Sequence, residues 1–161
     1  MKLYEVADDY IDYLRKFDNK VQSHKLGCRN FSRKYLGVIL TVNNLDYFVP
    51  LSSYKPKHDK MKNSVDFFKV ADKNRKYAVI NFNNMIPVVP QALIEFDINS
   101  ESDIRYRNLL IREVLILKNN QALIQENAKK LYVKVTVYKV QRLIDRCCDF
   151  IKLEQVAKQY K

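Results

Sequence analysis

The spacing of apolar positions divides the chain into a strand-rich first part and a helical last part. Residues 2–6 have the composition of a short strand. Tyr10, Tyr13, Leu14 and Phe17 then recur on one helix face, with Asp8 or Asp9 placed to cap its start. Residues 18–30 show no periodicity and are expected to form a loop. Residues 35–42 and 45–49 are rich in β-branched and aromatic side chains, and Asn43 and Asn44 between them suit a tight turn with positive φ, which predicts a hairpin. Further strands are expected over 65–70, 77–83, 85–89 and 93–98, with a polar turn at 72–76. Pro87 and Pro90 mark edges or irregular positions, because proline has no N–H to give to a ladder.

After residue 100 the period changes. Ser100 followed by Asp103 has the form of a helix start, and Tyr106, Leu110, Val114 and Leu117 line one face. Ile124, Ala128, Leu131, Val135 and Tyr138 continue as a second helix, although Val133, Val135, Thr136 and Val137 suit a strand equally. A short helix over 149–160 closes the chain. Strands first and helices after, with one helix near the start, predict an α+β fold on a mainly antiparallel sheet. At 161 residues and 47% hydrophobic, the chain can build one continuous core, so a single domain is expected.

Charge narrows the function. Lys and Arg number 29 against 18 Asp and Glu, a formal net charge of +11, which attracts polyanions: nucleic acid or an anionic membrane. No apolar run approaches the roughly 18 residues of a spanning helix, and the basic residues are scattered among strands and loops, which argues against a membrane. The start runs into Asp8 and Asp9 rather than an apolar stretch, so no secretory signal and a cytoplasmic location are expected. Cys28, Cys147 and Cys148 are odd in number, two of them adjacent, and read as reduced thiols. His24 and His58 are the only histidines, and no metal or cofactor is expected. The two glycines, Gly27 and Gly37, are too few for a phosphate-binding glycine loop.

Hydroxyls and cations concentrate at residues 50–62. Ser52 and Ser53 at a strand end can meet a phosphate oxygen, and Lys55, Lys57, Lys60 and Lys62 add charge beside Tyr54 and His58. Arg29, Arg33 and Lys34 precede the partner strand, and antiparallel pairing about Asn43 and Asn44 brings Arg33 beside Ser52. The plainer readings are a solvated basic loop and edge charges that discourage aggregation. Carboxylates for metal-dependent cleavage are thin: Asp8 and Asp9 sit at a helix start, and Asp66 with Lys69 lacks an accompanying acidic-x-Lys pair. A Cys nucleophile lacks an oriented His. RNA removes the need for either, since its 2′-hydroxyl can attack the adjacent phosphate. The protein then aligns the groups, moves protons and stabilises the crowded phosphate.

Three segments resemble the ToxN/AbiQ-like endoribonuclease toxins of type III (protein with RNA antitoxin) systems. They are Met1-Lys2-Leu3-Tyr4 leading into Tyr10-Ile11-Asp12-Tyr13-Leu14; Tyr47-Phe48-Val49-Pro50-Leu51-Ser52-Ser53 followed by Lys55 and His58; and Asn83-Asn84-Met85-Ile86-Pro87-Val88. The resemblance implies a strongly twisted sheet with flanking helices similar to the MazF/Kid toxins. It also implies metal-independent cleavage leaving a 2′,3′-cyclic phosphate and a 5′-hydroxyl. It carries catalytic roles onto Ser53 and Lys55, onto Ser52 where relatives also have Thr, and onto a basic residue at Arg33 or Lys34. Arg33 then stabilises the transition state and Lys55 does acid/base work, since a guanidinium does not shuttle protons near neutral pH. His58 matches the motif as either a catalytic or a structural residue, and Arg29 stands where some members have a tyrosine. Arg29, Tyr54, Lys57, Lys60 and Lys62 are the expected RNA contacts.

The implied partners are an RNA antitoxin of tandem pseudoknot repeats, in a closed ring of three toxins and three RNAs, and cellular or phage RNA as substrate. The setting is abortive infection or plasmid maintenance. The 11 tyrosines interleaved with lysines suit such recognition, although most are expected to pack in the core. The competing reading is a non-catalytic RNA-binding protein, and a weaker one is a metal-dependent nuclease.

Overall fold

The computed structural model describes residues 1–24 and 32–161; Arg29 and Cys28 lie outside the described residues. Its strands are β1 (Lys2–Val6), β2 (Tyr35–Val42), β3 (Leu45–Ser53), β4 (Phe67–Ala71), β5 (Lys76–Asn81), β6 (Ile86–Val88) and β7 (Leu93–Glu95). They form one antiparallel sheet in the order β4-β5-β3-β2-β1-β7, with β6 also paired to β3. The helices are α1 (Asp8–Arg15), α2 (Ile104–Asn119), α3 (Gln121–Thr136), α4 (Gln141–Ile144) and α5 (Phe150–Ala157). Helix α2 lies against β4 and β5, α3 against β2, and α5 against β6. Among the described residues no helix is long and apolar enough to cross a membrane.

Strand β3 is the hub. One of its edges pairs with β2; the other pairs with β6 through Asp46, Tyr47 and Phe48, and with β5 through Leu51, Ser52 and Ser53. This explains its length, which exceeds the expected 45–49. Leu51 N–H points to β2, donating to the Lys34 carbonyl at 2.9 Å. Pro50, one residue earlier, therefore turns its missing donor to the opposite edge. There it falls in the gap between β6 and β5, and no ladder bond is lost.

The hairpin turn is as expected, with Asn43 and Asn44 at φ 52° and 61°. Register then shifts between Leu36 and Leu40: Leu40 pairs with Tyr47 but Leu36 pairs with Val49, so β2 bulges. Gly37 sits in this bulge against the Phe48 ring, where a Cβ would fall 2.1 Å from ring carbon Cδ1. Gly37→Ala is expected to cost about 1–3 kcal/mol by overpacking, measured as a lower urea midpoint with unchanged m-value.

Most other differences from expectation lie at element ends. Asp8 and Asp9 are in the first turn of α1 rather than at its cap, Ala7, and favour the helix through its dipole. Phe17 lies beyond that helix. Asp103, not Ser100, caps α2 by accepting from Tyr106 N at 2.9 Å. The ambiguous 133–137 segment is helical through Thr136, leaving Val137 and Tyr138 exposed. The end of the expected 77–83 strand turns into a 3-10 segment at Phe82–Asn84, and α4 was not anticipated.

Buried polar groups tie helices to sheet. The Glu154 carboxylate on α5 accepts from Tyr47 and Tyr132 hydroxyls, each at 2.7 Å, and from the Asn43 amide at 2.8 Å. A buried carboxylate with three donors satisfies its lone pairs and pins the hairpin turn to the last helix. Cys147 and Cys148 are free and buried, and burial pushes the Cys147 thiol up to about 12, far from a reactive thiolate.

Candidate active-site cleft

The β2 bulge determines what meets what at the sheet end. Tyr35 pairs with Pro50, and the Leu51-to-Lys34 bond carries the pairing one step further. Just beyond it, Arg33 and Ser52 line the same cleft. On the other edge Ser52 and Ser53 pair with Val79 and Ala78 of β5, and α2 closes the space above. A cleft of about 160 Å³ results. It is lined by Arg33, Lys34, Ser52 and Ser53 together with Tyr77, Tyr106 and Glu113.

Arg33 and Lys34 are buried, 7% and 6% exposed, which surface cations almost never are without partners. Arg33 donates from Nη2 to the Ser23 carbonyl at 3.3 Å. Lys34 Nζ is ion-paired with Glu5, donates to Ser32 Oγ at 3.1 Å and sits 3.9 Å over the Phe96 ring. Burial alone would raise the Glu5 carboxyl, but hydrogen bonds from Lys34 and Ser32 outweigh it and hold Glu5 below the usual carboxylate value. Lys34 is thus committed to β1. Ser52 is half-buried and Ser53 exposed.

Lys55 is not among the residues lining the cleft. It is exposed, two residues past the end of β3, with extended backbone at the start of a 3-10 turn, Pro56–Lys60. His58 anchors that turn. It is 5% exposed, packed against the rings of Tyr54 and Phe67, and its Nδ1 accepts from the Lys55 backbone N–H at 3.0 Å while the His58 backbone N–H donates to the Lys55 carbonyl at 2.9 Å. Burial, and then the charges of Lys57, Lys55 and Lys69, push the imidazole down from its ordinary value. His58 is therefore a neutral ring with its proton on Nε2 at neutral pH. Tyr54 donates to Asp59 at 3.1 Å, and Asp59 pairs with Lys76, which stitches the turn to β5. Lys57, Lys60 and Lys62 are exposed around it.

A larger groove, about 860 Å³, shares Tyr77, Tyr106 and Leu109 with the cleft and carries Arg75, Arg105 and Arg112. Neither these arginines nor Glu113 stood out in the sequence, since a lone charge on a helix is ordinarily solvated. The available signal was spacing: Glu113 falls between Leu110 and Leu117 at the period of the buried face of α2.

Comparison with known proteins identifies the family. The family model described as "Toxin ToxN, type III toxin-antitoxin system" matches residues 2–158. The chain is 39% identical over 168 residues to an Endoribonuclease ToxN of Bacillus thuringiensis subsp. kurstaki, an alignment covering 99% of this chain and 84% of that protein. It superposes with a TM-score of 0.87 and 37% identity on a toxin structure from work on selective inhibition by a non-coding RNA pseudoknot, covering 99% of this chain and 96% of that one. It superposes with a TM-score of 0.88 and 29% identity on AbiQ, a lactococcal anti-phage endoribonuclease, again covering 99% and 96%. With a match along nearly its whole length, the chain belongs to the ToxN family of type III toxin–antitoxin toxins.

Proposed function

We propose that this chain is a single-domain, metal-independent endoribonuclease toxin that works in the cytoplasm by directing the RNA 2′-hydroxyl onto the adjacent phosphate. The observation that carries the reading is the convergence of Arg33, Ser52 and Ser53 on one cleft at the end of β2 and β3. Hydroxyl donors beside a guanidinium suit a phosphate whose equatorial oxygens gain charge in the transition state. Ser52 and Ser53 donate to the non-bridging oxygens, and Arg33 offsets their charge. Lys55, exposed two residues past the end of β3, protonates the departing 5′-oxygen. His58 is a positioning residue that holds the Lys55 backbone. Lys34 secures the start of β2 against β1.

RNA approaches along the groove of Arg75, Arg105 and Arg112, where cations meet phosphates and Tyr77 and Tyr106 offer faces for unpaired bases. Lys57, Lys60 and Lys62 extend the basic field, and Arg29 is a further RNA contact on this reading. The pseudoknot RNA and anti-phage setting named for its relatives support a toxin held by a pseudoknot RNA antitoxin; on this reading the antitoxin is a tandem repeat that the toxin processes, three toxins and three RNAs close into a ring, and the system serves phage defence or plasmid maintenance. The mass of the purified toxin–RNA complex tests that stoichiometry.

The deciding experiment incubates purified protein with single-stranded RNA in excess chelator. Cleavage giving 2′,3′-cyclic phosphate and 5′-hydroxyl ends, at a rate unchanged by chelator, is the expected result. Binding without cleavage would make the protein an RNA-binding module, and silencing by chelator would make it a metal-dependent nuclease.

A further inference from the structure

The reaction assigned to this cleft needs an acceptor for the 2′-hydroxyl proton, and the cations already named do not supply one. An ammonium or guanidinium is a donor with no free lone pair. The Nδ1 of His58 is occupied by the Lys55 N–H. Glu113 is the only carboxyl among the described residues lining the cleft.

Its setting differs from that of the other buried glutamate. Glu154 accepts three hydrogen bonds. Glu113 is 5% exposed, yet among the described residues its carboxyl receives no hydrogen bond and no ion pair; only the more distant charge of Arg75 acts on it. An unpartnered carboxyl facing a polar cleft is costly to bury and is available to a substrate proton.

We propose that Glu113 is the general base of RNA cleavage, a step resting on the reading that ribose supplies the nucleophile. The O2′–H bond breaks and its proton passes to a Glu113 carboxylate oxygen as O2′ bonds to phosphorus. The P–O5′ bond breaks, and O5′ takes a proton from the Lys55 ammonium. Glu113 returns its proton to water and Lys55 regains one.

Burial pushes the Glu113 carboxyl up to about 7, with Arg75 pulling it down. An acceptor of that basicity is matched to neutral pH. The other charged and titratable groups that line the cleft are Arg33 and Lys34 before β2, Tyr77 on β5 and Tyr106 on α2. Lys69 on β4 is directed away, to the Asp59 carbonyl at 3.2 Å.

The test is the pH profile of kcat/KM on single-stranded RNA in chelator, for wild type, Glu113→Gln and Glu113→Asp, with affinity for a 2′-deoxy RNA measured alongside. Wild type is expected to rise with pH to a plateau, with an inflection near neutrality. Glu113→Gln should lower the plateau on the order of 10²-fold and remove the inflection while binding the 2′-deoxy RNA normally; Glu113→Asp should move the inflection. A Glu113→Gln variant with wild-type rate and profile overturns the assignment and leaves the proposed function standing, as does loss of binding in proportion to rate. Should Glu113→Gln fail to fold, an unmoved inflection in Glu113→Asp overturns it instead. Wild-type products without cyclic phosphate ends defeat the proposed function and this step with it.

Discussion

Ser53→Ala is expected to lower single-turnover RNA cleavage on the order of 10²–10³-fold, the usual cost of losing one preorganised donor to a developing oxyanion, while RNA binding by gel shift stays within a few-fold of wild type. The hydroxyl sits on the exposed end of β3, so its removal leaves no buried group unsatisfied and the melting temperature should hardly change. Lys55→Ala should produce a loss of similar size. Lys55→Arg should not restore the rate, because a guanidinium keeps its proton where an ammonium can give it up. Substituting Lys60 or Lys62, exposed on the neighbouring turn, should instead weaken binding modestly and reduce its salt dependence without changing the cleavage rate at saturation. A Ser53→Ala protein that cleaves at wild-type rate would remove the hydroxyls from the mechanism.

The second large effect is on stability. Glu113 folds with its pKa raised from 4.5 to about 7 by burial. Between those values the native state holds a proton that the unfolded chain has released, so stability falls as pH rises through this window. Below it, both states are protonated and nothing is lost. Above it, the full penalty applies, roughly 3 kcal/mol at about 1.4 kcal/mol per pKa unit. Glu113→Gln is therefore expected to be more stable than wild type above pH 7, by a gain somewhat smaller than that penalty because the buried amide has its own desolvation cost. The advantage should vanish as pH approaches 4.5. Urea melts at pH 4.5 and pH 8 measure it, and equal differences at both pH values would show that the carboxyl is not desolvated as described. A residue whose replacement stabilises the fold and slows the reaction is what a stability–activity trade-off predicts for a buried proton-transfer group.

Local pattern made much of the fold legible. The β2–β3 hairpin follows from two runs of β-branched and aromatic residues around Asn43 and Asn44, because both asparagines tolerate the positive φ that the turn requires. Helices α2 and α3 follow from their apolar spacing, and the burial of Leu131 and Val135 resolves the helix-or-strand ambiguity by packing. Where expectation and structure differ, tertiary pairing decides. The expected strand stopped at Val49, yet β3 continues to Ser53, because the donor that Pro50 lacks falls in a gap between two partner strands.

From sequence alone came the candidate hydroxyls and cations: Ser52 and Ser53 are adjacent, so they stay together in any fold and both line the cleft, whereas Lys55, two residues on, does not; the positive charge is additive over the chain. Pairing about Asn43 and Asn44 also pointed to Arg33 beside Ser52, but only the tertiary structure decided the register and which other distant groups join them. The bulge at Gly37 offsets the β2 register so that Leu36 meets Val49 and Tyr35 meets Pro50, and Arg33 and Ser52 line one cleft. Glu5 claims Lys34, and α2 brings Glu113 across the cleft. Bulges, ion-pair choices and helix docking depend on contacts between residues far apart in the chain, and spacing along a sequence carries information only about neighbours on one element.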